Sequence, residues 1–206
     1  MSNHSRRDFI KNASVAAASF YIVPRHVLGK GYQAPSDKLN IMGIGGGGKG
    51  YSDIMNSYNK GAENIVAIVD VDDRQVARIK KDLPKANFYK DFRAALDKEG
   101  NNVDAVIVST PDHTHATIAM EAMRRKKHVY VQKPLAHDIY EARIIAEKAR
   151  EMQVVTQMGN QGSSGDGVRT MIEWFDGGVI GKVHSVQVWT NRPVWPQGIK
   201  YPSAGF

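Results

Sequence analysis

Six residues, Gly45-Gly46-Gly47-Gly48-Lys49-Gly50, follow directly on the apolar run Leu39–Ile44. Glycine at that density neither continues a strand nor sits well inside a helix, so the chain has to turn sharply there. Gly45, Gly47 and Gly50 satisfy the spacing G-x-G-x-x-G, and Asp70 closes the next apolar run, Ile65–Asp70, 20 residues beyond Gly50. A strand, a glycine turn opening a helix, a second strand and a terminal acid together are the context a dinucleotide-binding fingerprint requires. Each position has a physical duty. Gly45 permits the tight turn, Gly47 lets the main chain approach a pyrophosphate, Gly50 permits close helix packing, and the helix N-terminus attracts the phosphates. Asp70 is placed to accept hydrogen bonds from the adenosine ribose hydroxyls and to repel a 2′-phosphate, which favours NAD over NADP. Arg74 lies close enough to oppose that preference. The alternative is a flexible glycine loop beside a surface acid.

The rest of the chain repeats the alternation. Apolar runs at Val103–Ser109, His128–Val131 and Val154–Met158, with a shorter one at Ala86–Tyr89, are separated by stretches of helical period. Ala116, Ala119, Met120 and Met123 form one such face, and Ile139, Ala142, Ile145, Ala146 and Ala149 another. Asp138 followed by Glu141 has the spacing of a capping box. Continuous apolar strands between helices predict an α/β fold, a doubly wound parallel sheet of the Rossmann type, over residues 38–180. Beyond Gly177-Gly178, residues Lys182–Thr190 alternate, with Val186 and Val188 on one face, which predicts a half-buried antiparallel strand. Residues 181–206 are accordingly expected to be the start of a truncated α+β substrate domain. An unpaired strand of that kind implies a longer natural product.

Composition enters mainly through charge. The chain has 206 residues and a formal charge of +7, from 28 basic and 21 acidic residues. Residues 1–30 hold Arg6, Arg7, Lys11, Arg25 and Lys30 against Asp8, so the remainder is too diffuse to point to nucleic acid. No cysteine is present, which excludes a disulfide scaffold and thiolate chemistry. The segment Ser5-Arg6-Arg7-Asp8-Phe9-Ile10-Lys11, followed by the uncharged run Ala13–Val23, resembles a twin-arginine export signal over residues 1–30. That run is too short to span a membrane as a helix. The expected partner is the twin-arginine export machinery, and the expected location is the periplasm.

Two further motifs fall where a doubly wound sheet places its ligand. One strand candidate ends in Ser109-Thr110-Pro111-Asp112-His113-Thr114-His115, the next in Gln132-Lys133-Pro134, and both termini face the same crevice. With G-x-G-x-x-G, the series Thr-Pro-x-x-x-His and then Gln-Lys-Pro after His-Val-Tyr-Val resembles the glucose–fructose oxidoreductase / inositol dehydrogenase family, Gfo/Idh/MocA. The likeness covers about residues 38–198.

That resemblance implies an NAD-dependent enzyme moving a hydride between the cofactor and a hydroxyl carbon of a sugar, glycoside or cyclitol, and a homo-oligomer at full length. It makes Lys133 the catalytic residue, orienting the reacting alcohol and helping to move its proton. Thr110, Pro111, His113, His115, Gln132, Lys133 and Pro134 join Gly45, Gly47, Gly50 and Asp70 as cofactor contacts. Gln132 replaces the family's usual Glu and removes a charge beside the lysine. His113 and His115 have metal-ligand spacing but lack further ligands, so no metal is expected. Asn160 and Gln161, in Met158-Gly159-Asn160-Gln161-Gly162, and Arg192 and Trp195 near the end of the chain are candidate substrate contacts; turn chemistry or a rigid proline loop explains them equally. Two other readings stay open. One is a glycosidase that keeps its cofactor bound with no net redox change, and the other is a nucleotide-binding module that catalyses nothing by itself.

Overall fold

The structure, a computed structural model, describes residues 34–190. Arg6-Arg7, expected as part of an export signal, and the candidates Arg192 and Trp195 lie outside the described residues. The chain divides into two compact units, Met1–Asn160 and Gln161–Phe206.

Six parallel strands make the first unit's sheet: β1 Asn40–Ile44, β2 Asn64–Val69, β3 Asn87–Tyr89, β4 Ala105–Val108, β5 His128–Gln132 and β6 Thr156–Gly159. Their spatial order is β3-β2-β1-β4-β5-β6. The sequence order therefore reverses between β1 and β4, the switch point at which crossover helices leave on opposite faces and a crevice opens beyond the strand ends. Five helices join the strands: α1 Gly48–Tyr58, α2 Asp73–Asp82, α3 Phe92–Glu99, α4 His115–Arg124 and α5 Ile139–Met152.

Alternation along the strands, interrupted in β2 where a register shift against β1 leaves Val66 extra, sorts the core into two layers. Ile41, Ile65, Ile68 and Ile107 face α1 and α2, meeting Ile54, Val76 and Ile79. Met42, Ile44, Val69, Val106, Val108, Val129 and Val131 face the other way, onto Leu96, Ala116, Ala119, Met123 and Ile145 of α3 to α5. Strands buried on both faces have no polar side to show, which is why the sequence presented them as unbroken apolar runs. The expected face of α4 is observed: Ala116, Ala119 and Met123 are buried and Met120 packs against that cluster. The expected face of α5 is only partly so, since Ile145 is its single buried residue and Ile139 is 74% exposed. Asp138 caps α5 as expected, its Oδ1 accepting from the Glu141 amide at 2.8 Å. The return arm reaches one residue further than a capping box requires, Glu141 Oε2 accepting from the His137 amide at 3.2 Å.

In the second unit, a short 3-10 turn at Gln161–Ser164 precedes α6, Asp166–Asp176. The antiparallel strand expected at Lys182–Thr190 is not formed: those residues carry no regular secondary structure, and Val186 and Val188 are exposed. A strand exists only through ladder bonds to a neighbour, and among the described residues no sheet includes this segment. No helix among the described residues is long and apolar enough to cross a membrane.

Candidate functional site

The glycine turn is built by the ends of three strands. Beyond β1, the Gly45 amide donates to the Val69 carbonyl at 2.8 Å, and beyond β4 the Ser109 amide donates to the Ile44 carbonyl at 2.8 Å. The ladder thus continues one residue past each strand before the chain lifts off the sheet. Gly45 has φ +89, and a Cβ there would stand 2.6 Å from the Ser109 carbonyl oxygen. A Cβ on Gly50 would overlap the Gly45 carbonyl oxygen itself. Both positions are closed to any side chain, the first by conformation and the second by contact.

Asp70 sits at the end of β2 with both oxygens engaged by main chain. Its Oδ2 accepts from the Gly46 amide at 2.9 Å and its Oδ1 from the Asp72 amide at 2.9 Å. The carboxylate therefore pins the glycine turn in addition to facing the crevice; each oxygen keeps a second lone pair for a ligand hydroxyl. Beside it, Asp72 caps α2 and is gripped by Arg74, whose Nε donates to Oδ1 at 3.0 Å and whose terminal nitrogen donates to Oδ2 at 2.8 Å. That guanidinium, together with the Arg74 amide on the same carboxylate, pulls the Asp72 pKa down to about 2.

A cleft of about 910 Å³ opens over this edge. Gly45, Gly47, Asp70, Thr110, Pro111 and His113, six of the residues expected as cofactor contacts, line it. The volume lies in the range that holds a cofactor-sized ligand. The fit to a dinucleotide is also chemical. No side chain caps the start of α1 at Gly47, so its first amides could donate to a ligand, and the glycine turn leaves the main chain open to a pyrophosphate.

The other expected contacts lie elsewhere. Gly50 is buried under the turn, where it permits packing without lining the cleft. His115 is 1% exposed at the start of α4, with Nδ1 2.7 Å from the Pro134 carbonyl oxygen and Nε2 2.8 Å from the Thr110 carbonyl oxygen. The expected contact of His115 with the cofactor has no ring nitrogen left to make it, and His115 cannot pair with the exposed His113 around a metal. Gln132 is 5% exposed and its amide is likewise occupied. Lys133 and Pro134, joined by a cis peptide bond, are exposed at the end of β5, outside the cleft lining. The Lys133 ammonium makes no ion pair or hydrogen bond with another described residue. Asn160 is exposed just past β6, its Oδ1 accepting from Gln157 Nε2 at 3.4 Å; Gln161 begins the second unit and is exposed.

One residue of this region went unnoticed in the sequence. Asp53, on α1 and 7% exposed, accepts from Ser109 Oγ at 2.9 Å and from Gln132 Nε2 at 2.8 Å through Oδ2, while Lys49 Nζ lies 2.6 Å from Oδ1. The Lys49–Asp53 spacing of four was a visible signal for the ion pair, but not for the two distant partners. A further group, His137, Asp138 and Glu141, holds its ligand atoms within 4.8 Å of one another, and all three are engaged in starting α5.

The strand order and the crevice at its switch point define a dinucleotide-binding Rossmann domain. Residues 38–160, more than half of the chain, match the oxidoreductase family with an NAD-binding Rossmann fold, and the chain belongs to that family, Gfo/Idh/MocA. It is 27% identical over 132 residues to a myo-inositol 2-dehydrogenase of Thermotoga maritima, an alignment covering 64% of this chain and 39% of that one. It is 31% identical over 178 residues to a glycosyl hydrolase family 109 protein of a Shewanella species, covering 74% and 38%. Among solved structures, myo-inositol 2-dehydrogenase from Lactobacillus plantarum superposes with a TM-score of 0.65 at 26% identity, over 71% of this chain and 43% of that one. The chain therefore spans less than half the length of these relatives.

Proposed function

We propose that this chain is the cofactor-binding part of an exported, NAD-dependent oxidoreductase that moves a hydride between nicotinamide and a hydroxyl-bearing carbon of a cyclitol, sugar or glycoside. The observation that carries the proposal is the ammonium of Lys133 at the end of β5, without a partner among the described residues and one strand away from the cleft-lining Thr110-Pro111 turn. A bound nicotinamide supplies the hydride acceptor. Lys133 would hold the substrate hydroxyl by its oxygen and, after its ammonium has passed a proton to solvent, take up as the amine the proton that leaves that hydroxyl. His115 serves by holding the two turns together, and Gln132 by fixing the main chain before the lysine. The likeness to inositol dehydrogenases supports a polyol substrate.

The second reading, glycoside cleavage with no net redox change, is favoured by the family 109 relatives, which align over more of this chain than the dehydrogenases do. One assay separates the two. The full-length gene product is given NAD and a panel of cyclitols, hexoses and aryl glycosides, and both NADH and released aglycone are followed. NADH accumulating with a polyol is the expected result. Aglycone without NADH would transfer the protein to the second reading, and neither product would leave a binding module. Export rests on Arg6 and Arg7: changing both to Lys is expected to retain the protein in the cytoplasm, and undiminished periplasmic delivery would remove the twin-arginine assignment.

A further inference from the structure

The residue that ties the catalytic corner together is Asp53, which lies on none of the family's motifs. Its carboxylate is buried, and it is met by three donors from three different segments: Lys49 on its own helix, Ser109 past β4 and Gln132 at the end of β5. Gln132 in turn accepts, through Oε1, from the main-chain amide of Lys133 at 3.2 Å. These contacts fix which way the amide points. Reversed, its carbonyl oxygen would face the Asp53 carboxylate and its NH2 would face the Lys133 N–H, acceptor on acceptor and donor on donor. The amide plane is also held from β6, since even a methyl on Gly159 would come within 3.0 Å of Gln132 Cδ and Nε2.

A glutamate could not make the same arrangement. Its second oxygen would come within hydrogen-bond distance of Asp53 Oδ2, and two carboxylates sharing such a site cannot both stay ionised. The carboxylate that position 132 lacks has a counterpart one layer deeper, on α1, where Asp53 pairs with Lys49 and reaches the Lys133 main chain through the Gln132 amide.

We propose that Asp53 is a positioning residue for Lys133, acting through the Gln132 amide, and that position 132 must be an amide because Asp53 already holds the charge. The proposal rests on the reading that the Lys133 turn meets the nicotinamide end of the cofactor.

The test is a mutant cycle on the chain itself: wild type, Gln132→Glu, Asp53→Asn and the double variant, in which the amide introduced on α1 can donate to the carboxylate introduced at the end of β5. Melting temperatures are taken across a pH series, and affinities are measured for NAD and for ADP-ribose, which lacks the nicotinamide. Gln132→Glu alone is expected to melt lower at neutral pH, with the deficit closing below about pH 5 as one of the paired carboxyls takes up a proton. It should weaken NAD about tenfold and ADP-ribose less than about threefold, because the phosphates and ribose are held elsewhere. The double variant should recover more than half of both losses, a coupling that two independent structural defects would not show. A merely structural role would lower NAD and ADP-ribose alike.

Losses that simply add in the double variant, or a Gln132→Glu protein that behaves as wild type at neutral pH, would overturn the proposal. If Gln132→Glu fails to fold at neutral pH, a folded double variant supports it and an unfolded one refutes it. A wild type that binds NAD and ADP-ribose equally would instead sink the nicotinamide reading, leaving the Asp53–Gln132 coupling to be decided by the melting cycle.

Discussion

The imidazole of His115 is hydrogen-bonded to the main chain of Pro134, its Nδ1 standing 2.7 Å from the carbonyl oxygen. Its other nitrogen stands 2.8 Å from the Thr110 carbonyl, so a single buried ring braces the turn after β4 against the turn after β5. Removing it would take the ring's N–H donor away from these carbonyls and leave a cavity. His115→Ala is expected to cost about 2–4 kcal/mol, lowering the melting temperature by about 5–10 °C in a domain of this size. His113, exposed and lining the cleft, is the control. His113→Ala should leave the melting temperature of the free chain unchanged and weaken NAD alone. Equal melting behaviour in the two variants would refute the bracing role.

NAD is expected to raise the melting temperature more than NADP at equal concentration, since stabilisation of the native state grows with the logarithm of ligand concentration over Kd. The basis is firmer than Asp70 alone. Arg74, the one nearby cation that sequence set against Asp70, has its guanidinium committed to Asp72 in a two-point fork. Asp72→Ser keeps a cap for α2 and releases Arg74. That variant should improve NADP relative to NAD by about tenfold, the scale of one charge-assisted hydrogen bond. No change in the ratio would show that Arg74 does not reach the 2′-position.

The same fork has a pH signature. The Arg74 side chain, followed by its amide, holds the Asp72 carboxyl at about 2, below its ordinary 3.8. A carboxyl depressed on folding contributes stability that is complete above the unfolded value and is lost as pH falls through the folded one. The loss should therefore run from about 3.8 down to about 2. The pair is exposed to solvent and screened, so the titration is the better readout than the melting temperature. A carbon-detected titration of Asp72 should give a midpoint about 2, moving back toward 3.8 in Arg74→Gln. An unmoved midpoint would assign the shift to the helix start instead.

How much of this was legible in the chain depends on whether the determinant is local. Gly45 and Gly50 were legible because their constraint is a turn within six residues. The strands were legible because burial on both faces leaves an unbroken apolar run. His115 was expected as a cofactor contact and is turned inward instead: H-x-H spacing cannot show that a 3-10 turn at Asp112–Thr114 aims the second ring inward and leaves the first exposed. Asp53 was invisible, since its partners Ser109 and Gln132 lie 56 and 79 residues away and nothing local distinguishes it from a surface acid. Lys182–Thr190 failed for a related reason. Alternation reports which faces a strand would have, while the ladder that makes it a strand comes from another part of the molecule.

Lys133 joins these lines of argument. Its main chain is set by Gln132, the carbonyl of its neighbour Pro134 is held by His115, and its ammonium has no described partner. A lysine whose backbone is fixed and whose charge is unspent costs little to truncate structurally. Lys133→Ala is therefore expected to keep the melting temperature and to change ADP-ribose affinity by less than about threefold, because the cleft lining beside the glycine turn and Asp70 does not include it. In the full-length gene product the same change should lower kcat by on the order of a hundredfold or more, the scale of a positioned acid–base group. The split between the two readouts carries the assignment. A fall in kcat with KM unmoved identifies an interaction made only in the transition state, and a rise in KM alone identifies uniform binding of substrate. If kcat survives intact, the Gln132-Lys133-Pro134 turn is structural in this protein, and the proton of the reacting hydroxyl leaves by another group.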